Sequence, residues 1–189
     1  TDRNLKALSF LLSKLKYSNR LGLLFTSILL NSSRLYRWRA NGKGGYLNGT
    51  LYIASLSQEN NVFKLFKEKI KDLKFDISQT NPVQVGSADN ILVPDSTIDY
   101  IFTDPPFGAN LMYSELNLLT EGWLKILTNS QREAIENKTQ NKSTSHYNQL
   151  MTDSFLEFFR ILKPGKWMTV EFSNTNSSIW NGIQTALQK

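Results

Sequence analysis

The sequence predicts an α/β fold with an amino-terminal region that is helical and basic. The first observation is a run of apolar, β-branched and aromatic residues over positions 98–103, which is too short for a helix and is followed by two prolines. The second is a helical pattern over 146–162 that leads into another strand pattern over 167–172. The third is charge, because the first fifty residues contain nine Lys or Arg and one acid, whereas the remainder contains thirteen basic and fifteen acidic residues.

The amino-terminal part is predicted to be mainly helical. Apolar residues recur at helical spacing on both sides of a break at residues 18–22, which predicts two packed helices. These residues are Leu5, Leu8, Leu11, Leu12 and Leu15, followed by Leu23, Leu24, Ile28 and Leu29. Residues 61–75 predict a third, amphipathic helix, and a short strand over 83–85 is expected before a loop at 86–89.

One further helix is predicted after the first strand and another after the second strand. Tyr113 opens a helix that runs to about residue 127, with Ser114 as its N-cap. Residues 131–147 are polar, lack an apolar stripe and are predicted to be a mobile excursion. A last amphipathic helix is predicted over residues 177–189.

Composition excludes several kinds of site. The chain has no cysteine and a single histidine, His146, so we predict no disulfide and no metal centre. The apolar stretch at residues 21–30 is too short to span a bilayer. With a net charge of +6, these features predict a cytoplasmic protein with no membrane partner and with a preference for polyanions.

The strand at 98–103 is followed by Asp104-Pro105-Pro106-Phe107. Ligands of open α/β sheets bind at the carboxyl ends of strands, so Asp104 is predicted to face that crevice. An aromatic amine is a poor nucleophile because its lone pair is delocalised into the ring, and two acceptors directed at its N–H bonds localise that pair. The Asp104 carboxylate and the Pro105 carbonyl are two such acceptors, the prolines stiffen the turn, and Phe107 can stack on a base. The motif therefore indicates methyl transfer to a nucleobase, although four residues alone also fit a rigid turn.

The motif resembles the catalytic motif of the bacterial site-specific DNA methyltransferases, which modify the exocyclic amine of adenine or cytosine. The longer stretch TDPPFGANLMYSELN, at residues 103–117, resembles one subgroup of these DNA methylases, as do residues 34–53 and 161–172. The resemblance implies a Rossmann-like sheet, S-adenosylmethionine as cofactor, DNA as partner, a flipped target base and the four-residue motif as catalytic site. It favours adenine N6 over cytosine N4, in the setting of restriction–modification.

One feature departs from this family. The Gly-rich loop that holds the methionine part of the cofactor is missing, and the Gly cluster at residues 41–45 follows a basic segment instead of an apolar strand. We therefore expect an upstream part of a longer polypeptide to supply the first strands and most of the cofactor site. The fold expects another strand after the last helix, and the sequence contains none there, which agrees with a partial domain. Asp89 and Asp104 are the candidate cofactor contacts, with Asp89 as acceptor for the cofactor's adenine amine or as a turn cap.

The basic region supplies the predicted nucleic-acid contacts. Basic residues interleaved with aromatic ones suit phosphate contacts combined with stacking on unpaired bases. The candidates are Arg34, Tyr36, Arg37, Trp38, Arg39 and Lys43. Residues 1–60 are accordingly predicted to be a helical DNA-contact region, and residues 61–189 the incomplete catalytic part. An RNA base methyltransferase and a non-catalytic DNA-binding or specificity fragment are the alternatives.

Overall fold

A computed structural model describes residues 1–15, 19–71 and 85–188. These residues form six α-helices and a two-stranded parallel sheet, so the chain mixes helix and strand as the α/β prediction requires. In chain order the elements are α1 (Asp2–Lys14), α2 (Asn19–Leu29), α3 (Val62–Lys71), β1 (Ile98–Thr103), α4 (Tyr113–Leu124), α5 (Thr144–Ile161), β2 (Leu162–Val170) and α6 (Ser177–Leu187).

The described residues divide into two compact units. The first unit consists of the described residues of positions 1–80 together with Ser114–Thr128. The second unit consists of the described residues of positions 81–113 and 129–189. The division predicted at residue 60 was a functional one and stays a prediction. None of the helices within the described ranges is both long and apolar enough to cross a membrane.

The helical unit has its own apolar core. The helical spacing of its leucines brings one face of α1 and α2 together, and α3 and α4 add to the same cluster. The buried members are Leu8, Leu11, Phe25, Ile28, Leu29 and Val62. The buried side chain of Asn4 donates to the carbonyls of Ser32 and Asn60, both at 3.0 Å, so a polar group also joins α1 to the segment before α3.

The second unit contains the sheet. Strands β1 and β2 run parallel, and α5 and α6 pack on one face through a core of buried side chains. That core consists of Tyr147, Met151, Phe155, Ile179, Ile183 and Ala186. Side chains alternate along a strand, so Met168 and Val170 of β2 point into this core, while Trp167 lies on the opposite face and is 79% exposed.

The predicted strand at 98–103 is confirmed, whereas the second strand begins five residues earlier than predicted and ends at Val170, two residues before the predicted end. β2 begins at Leu162, which pairs with Ile98, but the register then shifts so that Trp167 pairs with Tyr100. The four residues between, which include Pro164 and Gly165, bulge out of the ladder because proline has no N–H to donate. Continuous pairing therefore starts at Trp167, which is where the sequence pattern placed the strand.

Several helix limits differ from prediction, including the end of α4 at Leu124 and the end of α6 at Leu187. α4 begins at Tyr113, so Ser114 lies in its first turn and is not the N-cap. α2 begins at Asn19, so most of the predicted break is helical. α5 begins at Thr144, where the side chain of Ser143 accepts a hydrogen bond from the His146 amide at 3.2 Å. Positions 72–75 of the predicted third helix and 83–84 of the predicted short strand lie outside the described residues.

Candidate active site

Strand β1 brings Asp104 to the carboxyl end of the sheet. Thr103, the last residue of β1, pairs with Val170, and the Glu171 amide donates to the Thr103 carbonyl at 2.9 Å. The ladder cannot continue past this point because Pro105 and Pro106 lack N–H groups. Asp104 is exposed and Pro105 is buried, so the turn is anchored by its proline while its carboxylate faces solvent.

Three successive carbonyls hold the turn that follows Pro105. The Tyr147 hydroxyl donates to the Pro106 carbonyl at 2.7 Å, and Asn174 Nδ2 donates to the Phe107 carbonyl at 2.9 Å. The Glu136 amide donates to the Gly108 carbonyl at 3.2 Å. These donors come from α5, from the segment after β2 and from the segment before α5, so the turn is fixed from three directions. The ties do not use the Asp104 carboxylate or the Pro105 carbonyl.

Gly108 ends the turn in a left-handed conformation, with φ +67°. A Cβ added here would lie 3.4 Å from Ile179 Cδ1 and 3.5 Å from Asn174 Nδ2, which are ordinary contacts. The backbone conformation and not lack of space therefore favours glycine at this position.

Aromatic rings pack against Phe107 of the turn. The Phe107 and Phe172 rings meet edge to face with centroids 5.1 Å apart, and Phe172 meets Trp180 in the same way at 5.1 Å. Such arrangements place the positive ring edge on the negative ring face. Trp180 Nε1 also donates to the Asn174 carbonyl at 2.6 Å, so this ring row is connected to the same segment that holds the turn.

A small cavity lies beside Phe107. Its volume is about 200 Å³, and Asn110, Glu136, Asn174 and Ile179 are among its other lining residues. This is below the roughly 300–1,000 Å³ typical of pockets for drug-sized ligands, and it suits a single planar ring. One aromatic wall combined with amide and carboxylate groups is a lining that can hold a nucleobase.

Negative charge gathers around Tyr113. Burial raises the pKa of its hydroxyl, and the carboxylates of Asp104 and Glu133 raise it further. Tyr113 therefore lies within electrostatic reach of the Asp104 carboxylate. No cluster of three or more potential metal ligands is found in the described part of the chain.

The segment predicted to be a mobile excursion is instead tied down by buried groups. Ile135 is fully buried, and Lys142 is 7% exposed. Lys142 Nζ donates to the carbonyls of Ser130 and Glu133, and lies 3.7 Å from the Glu133 carboxylate. Burial lowers the pKa of Lys142, while Glu133 opposes that change. One buried isoleucine and a buried lysine give no apolar stripe, which is why the sequence did not reveal this order.

Asp89 lies in a separate turn of the same unit, closed by a bridge between Ser87 and Asn90. Its carboxylate, 8% exposed, pairs with Arg132 through Oδ2. The nearby Ser87 hydroxyl and Arg132 lower the pKa of Asp89, yet no hydrogen bond of normal geometry reaches the buried Oδ1 atom from the described residues. Asp89 therefore retains one acceptor atom.

The basic segment lies in the helical unit. Arg37 exchanges backbone hydrogen bonds with Gly45 at 3.0 and 3.3 Å, and its Nε atom is buried. Gly44 is required beside it, since a Cβ there would lie 2.3 Å from a Tyr36 ring atom. The remaining candidates, Arg34, Trp38, Arg39 and Lys43, are exposed. The structure thus separates Tyr36 and Arg37, which pack inward, from four side chains that are free to meet a partner.

A larger apolar cleft of about 710 Å³ in the helical unit is lined by Leu35, Ile53 and Trp123 and has Arg34 at its edge. Ser9 and Ser33 also line it, but no residue of the turn at positions 104–108 does, whereas Phe107 of that turn lines the smaller cavity, which is therefore the better candidate for chemistry. Comparison of the chain with protein-family models, with curated proteins and with solved structures found no match. The turn after β1 and the sequence motif that forms it are therefore the features from which a function can be inferred.

The sequence located the turn but missed part of its support. Asn174 follows the second strand, where the rule on strand ends directs attention. Tyr147 and Glu136 gave no comparable signal. The sequence gives no reason to distinguish Tyr147 from the other buried residues of α5. Glu136 acts through its backbone amide, and no sequence pattern predicts such a contact.

Proposed function

We propose that this chain is the catalytic part of a DNA methyltransferase that transfers a methyl group from S-adenosylmethionine to the exocyclic amine of a flipped base, with adenine N6 favoured over cytosine N4. The observation that carries the proposal is the turn Asp104-Pro105-Pro106-Phe107 at the carboxyl end of a parallel strand, held by its later carbonyls while its first two acceptors are not used in that support. The mixed helix–strand architecture is compatible with a larger Rossmann-like sheet.

The two acceptors would act on the amine together. The Asp104 carboxylate would accept a hydrogen bond from one N–H and the Pro105 carbonyl from the other, which draws the lone pair out of conjugation with the ring and localises it on the nitrogen. Both acceptors belong to one stiff turn, so most of the rate enhancement comes from alignment. Phe107 stacks on the flipped base, and base–aromatic stacking contributes roughly 1–3 kcal/mol.

S-adenosylmethionine, when bound, supplies a methyl group on a sulfonium, and no metal is needed for that chemistry. The buried, unpaired Oδ1 atom of Asp89 fits an acceptor for the cofactor's adenine amine. We expect most other cofactor contacts from an upstream part of a longer polypeptide, because the residues present include no Gly-rich loop after an apolar strand. The exposed Arg34, Arg39 and Lys43 would hold DNA phosphates.

The test uses the full-length gene product with DNA and labelled S-adenosylmethionine, followed by digestion and identification of the labelled nucleoside. We expect label on adenine with the wild-type protein and none with Asp104→Ala. Asp104→Asn is the matched variant, since its amide oxygen keeps one acceptor, and it should retain measurable transfer. DNA affinity should stay within a few fold in both variants because Asp104 orients an amine and does not bind phosphate.

Two outcomes would move the proposal to another class. Label that appears on RNA in a direct competition between DNA and RNA would favour an RNA base methyltransferase. A full-length protein that binds DNA but neither binds S-adenosylmethionine nor transfers label would favour a non-catalytic specificity fragment.

A further inference from the structure

We propose that Tyr147 and Asn174 are positioning residues for methyl transfer: they hold the carbonyls of Pro106 and Phe107 so that the two acceptors just before them keep the geometry that an exocyclic amine requires. The inference rests on the proposed function and adds residues outside the motif to the machinery. Asn174 lines the cavity beside Phe107 and Tyr147 does not, so Tyr147 is the residue whose substitution tests the position of the turn alone. Each acts through the backbone of the turn.

Tyr147 is suited to this role because its side chain cannot move aside. It is fully buried in the core of α5 and α6, and its hydroxyl reaches the Pro106 carbonyl at 2.7 Å. A side chain in a close-packed interior has one accessible rotamer, and a buried hydroxyl must keep a partner. Burial also raises the pKa of Tyr147, so it stays a hydrogen-bond donor throughout the pH range of an assay.

Asn174 is fixed in a different way. Its Oδ1 accepts from the Asn176 amide at 2.7 Å, which leaves Nδ2 as the end that donates to the Phe107 carbonyl at 2.9 Å. Its own carbonyl accepts from Trp180 Nε1, and Trp180 packs on Phe172. The orientation of the amide is therefore set by two independent contacts before it reaches the turn.

The proposed reaction is sensitive to small displacements of the turn. The two acceptors must meet two N–H bonds of one planar group at the same time, so a small shift of the turn weakens both contacts. Misplacement by about 1 Å can lower a rate by about 100-fold. Such a shift affects the reacting geometry and leaves the phosphate contacts of the basic segment unchanged, so the effect should fall on kcat and spare KM.

Tyr147→Phe is the first variant, because it removes one hydroxyl and keeps the ring that fills the core. Tyr100→Phe is the matched control: it removes a hydroxyl from β1 that donates to Thr169 at 2.6 Å on the exposed face. In the full-length protein we expect kcat of Tyr147→Phe to fall about 10- to 100-fold, with KM for DNA and for S-adenosylmethionine within threefold of wild type. Tyr100→Phe should keep the wild-type kcat.

Amide hydrogen exchange of residue 104 and of residues 107–110 gives a readout that does not depend on activity. Exchange should be faster in Tyr147→Phe than in wild type and unchanged in Tyr100→Phe. Asn174→Asp is the second variant, for use where Tyr147→Phe is poorly folded: it keeps the acceptor for Asn176 and loses the donor to Phe107, so it should show the same kcat loss.

The outcomes separate the two proposals. An active wild type with unchanged kcat and unchanged exchange in Tyr147→Phe and Asn174→Asp overturns the positioning role and leaves the proposed function intact. A rise in KM without loss of kcat also overturns it. No transfer by the wild type overturns the proposed function, and the positioning role with it.

Discussion

Arg160 donates a bidentate pair of hydrogen bonds to the carboxylate of Glu157, which lies one turn earlier in α5. Nη2 lies 2.7 Å from Oε1, and Nε lies 2.8 Å from Oε2. The Ile91 amide donates to the same carboxylate at 2.7 Å, and Arg160 Nη2 donates to the Ile91 carbonyl at 3.0 Å. The Ser96 amide in turn donates to the Arg160 carbonyl at 2.9 Å. This network joins α5 to the segment that leads into β1, and so it sets where the strand of the candidate site begins.

Glu157→Gln should make the folding stability less dependent on pH in the acid range. The hydrogen bonds from Arg160, and then that from Ile91, lower the pKa of Glu157 from its ordinary 4.5 to about 2. A carboxyl whose pKa is depressed in the folded state stabilises it above the unfolded pKa, and this contribution is lost as pH falls from about 4.5 towards about 2. Thermal unfolding measured across that range should show a shallower slope in the variant. Glu171→Gln, at an exposed carboxylate in the same unit, should keep the wild-type slope; equal slopes in all three proteins would contradict the prediction.

Gly108→Ala and Gly122→Ala should have opposite effects on stability. Gly108 has φ +67°, where alanine costs roughly 1–2 kcal/mol. Gly122 lies within α4 with no atom within 4 Å of an added Cβ, so alanine there should stabilise by roughly 0.5–1 kcal/mol. Urea unfolding of the two variants measures both free energies. Stabilisation by Gly108→Ala would show that the turn can leave its left-handed conformation at no cost.

Arg39→Ala should weaken DNA binding at every sequence and reduce its salt dependence. Arg39 is exposed in the basic segment, and each lost phosphate contact lowers the magnitude of the slope of log K against log salt by about 1. Arg39 is a better test than Arg37, whose Nε is buried and whose backbone is paired with Gly45. Lys67→Ala, at an exposed lysine of α3, is the control for a general loss of charge. The same slope for Arg39→Ala and wild type in a salt titration would remove Arg39 from the interface.

Elements formed by local interactions were predicted correctly, and elements that depend on residues distant in sequence were not. The limits of β1 were correct because its apolar run and the prolines after it are local signals. The start of β2 was placed too late, since the bulge that lets Leu162 pair with Ile98 depends on a neighbouring strand. The segment before α5 was judged too loose, because its order depends on the burial of Ile135 and Lys142 by residues distant in sequence.

The candidate site divides along the same line. By itself the sequence determined the mix of helix and strand and the position of the turn at the end of a strand, and it predicted the two candidate acceptors of that turn, because strand propensity, proline and a carboxylate act within a few residues. Only the tertiary structure decided that Tyr147 and Asn174 reach the two carbonyls that follow those acceptors. It also decided that Arg37 packs inward while Arg39 stays exposed. Hydrogen bonds between residues 41 and 67 positions apart depend on how helices and strands pack, and packing leaves no periodic mark on the chain.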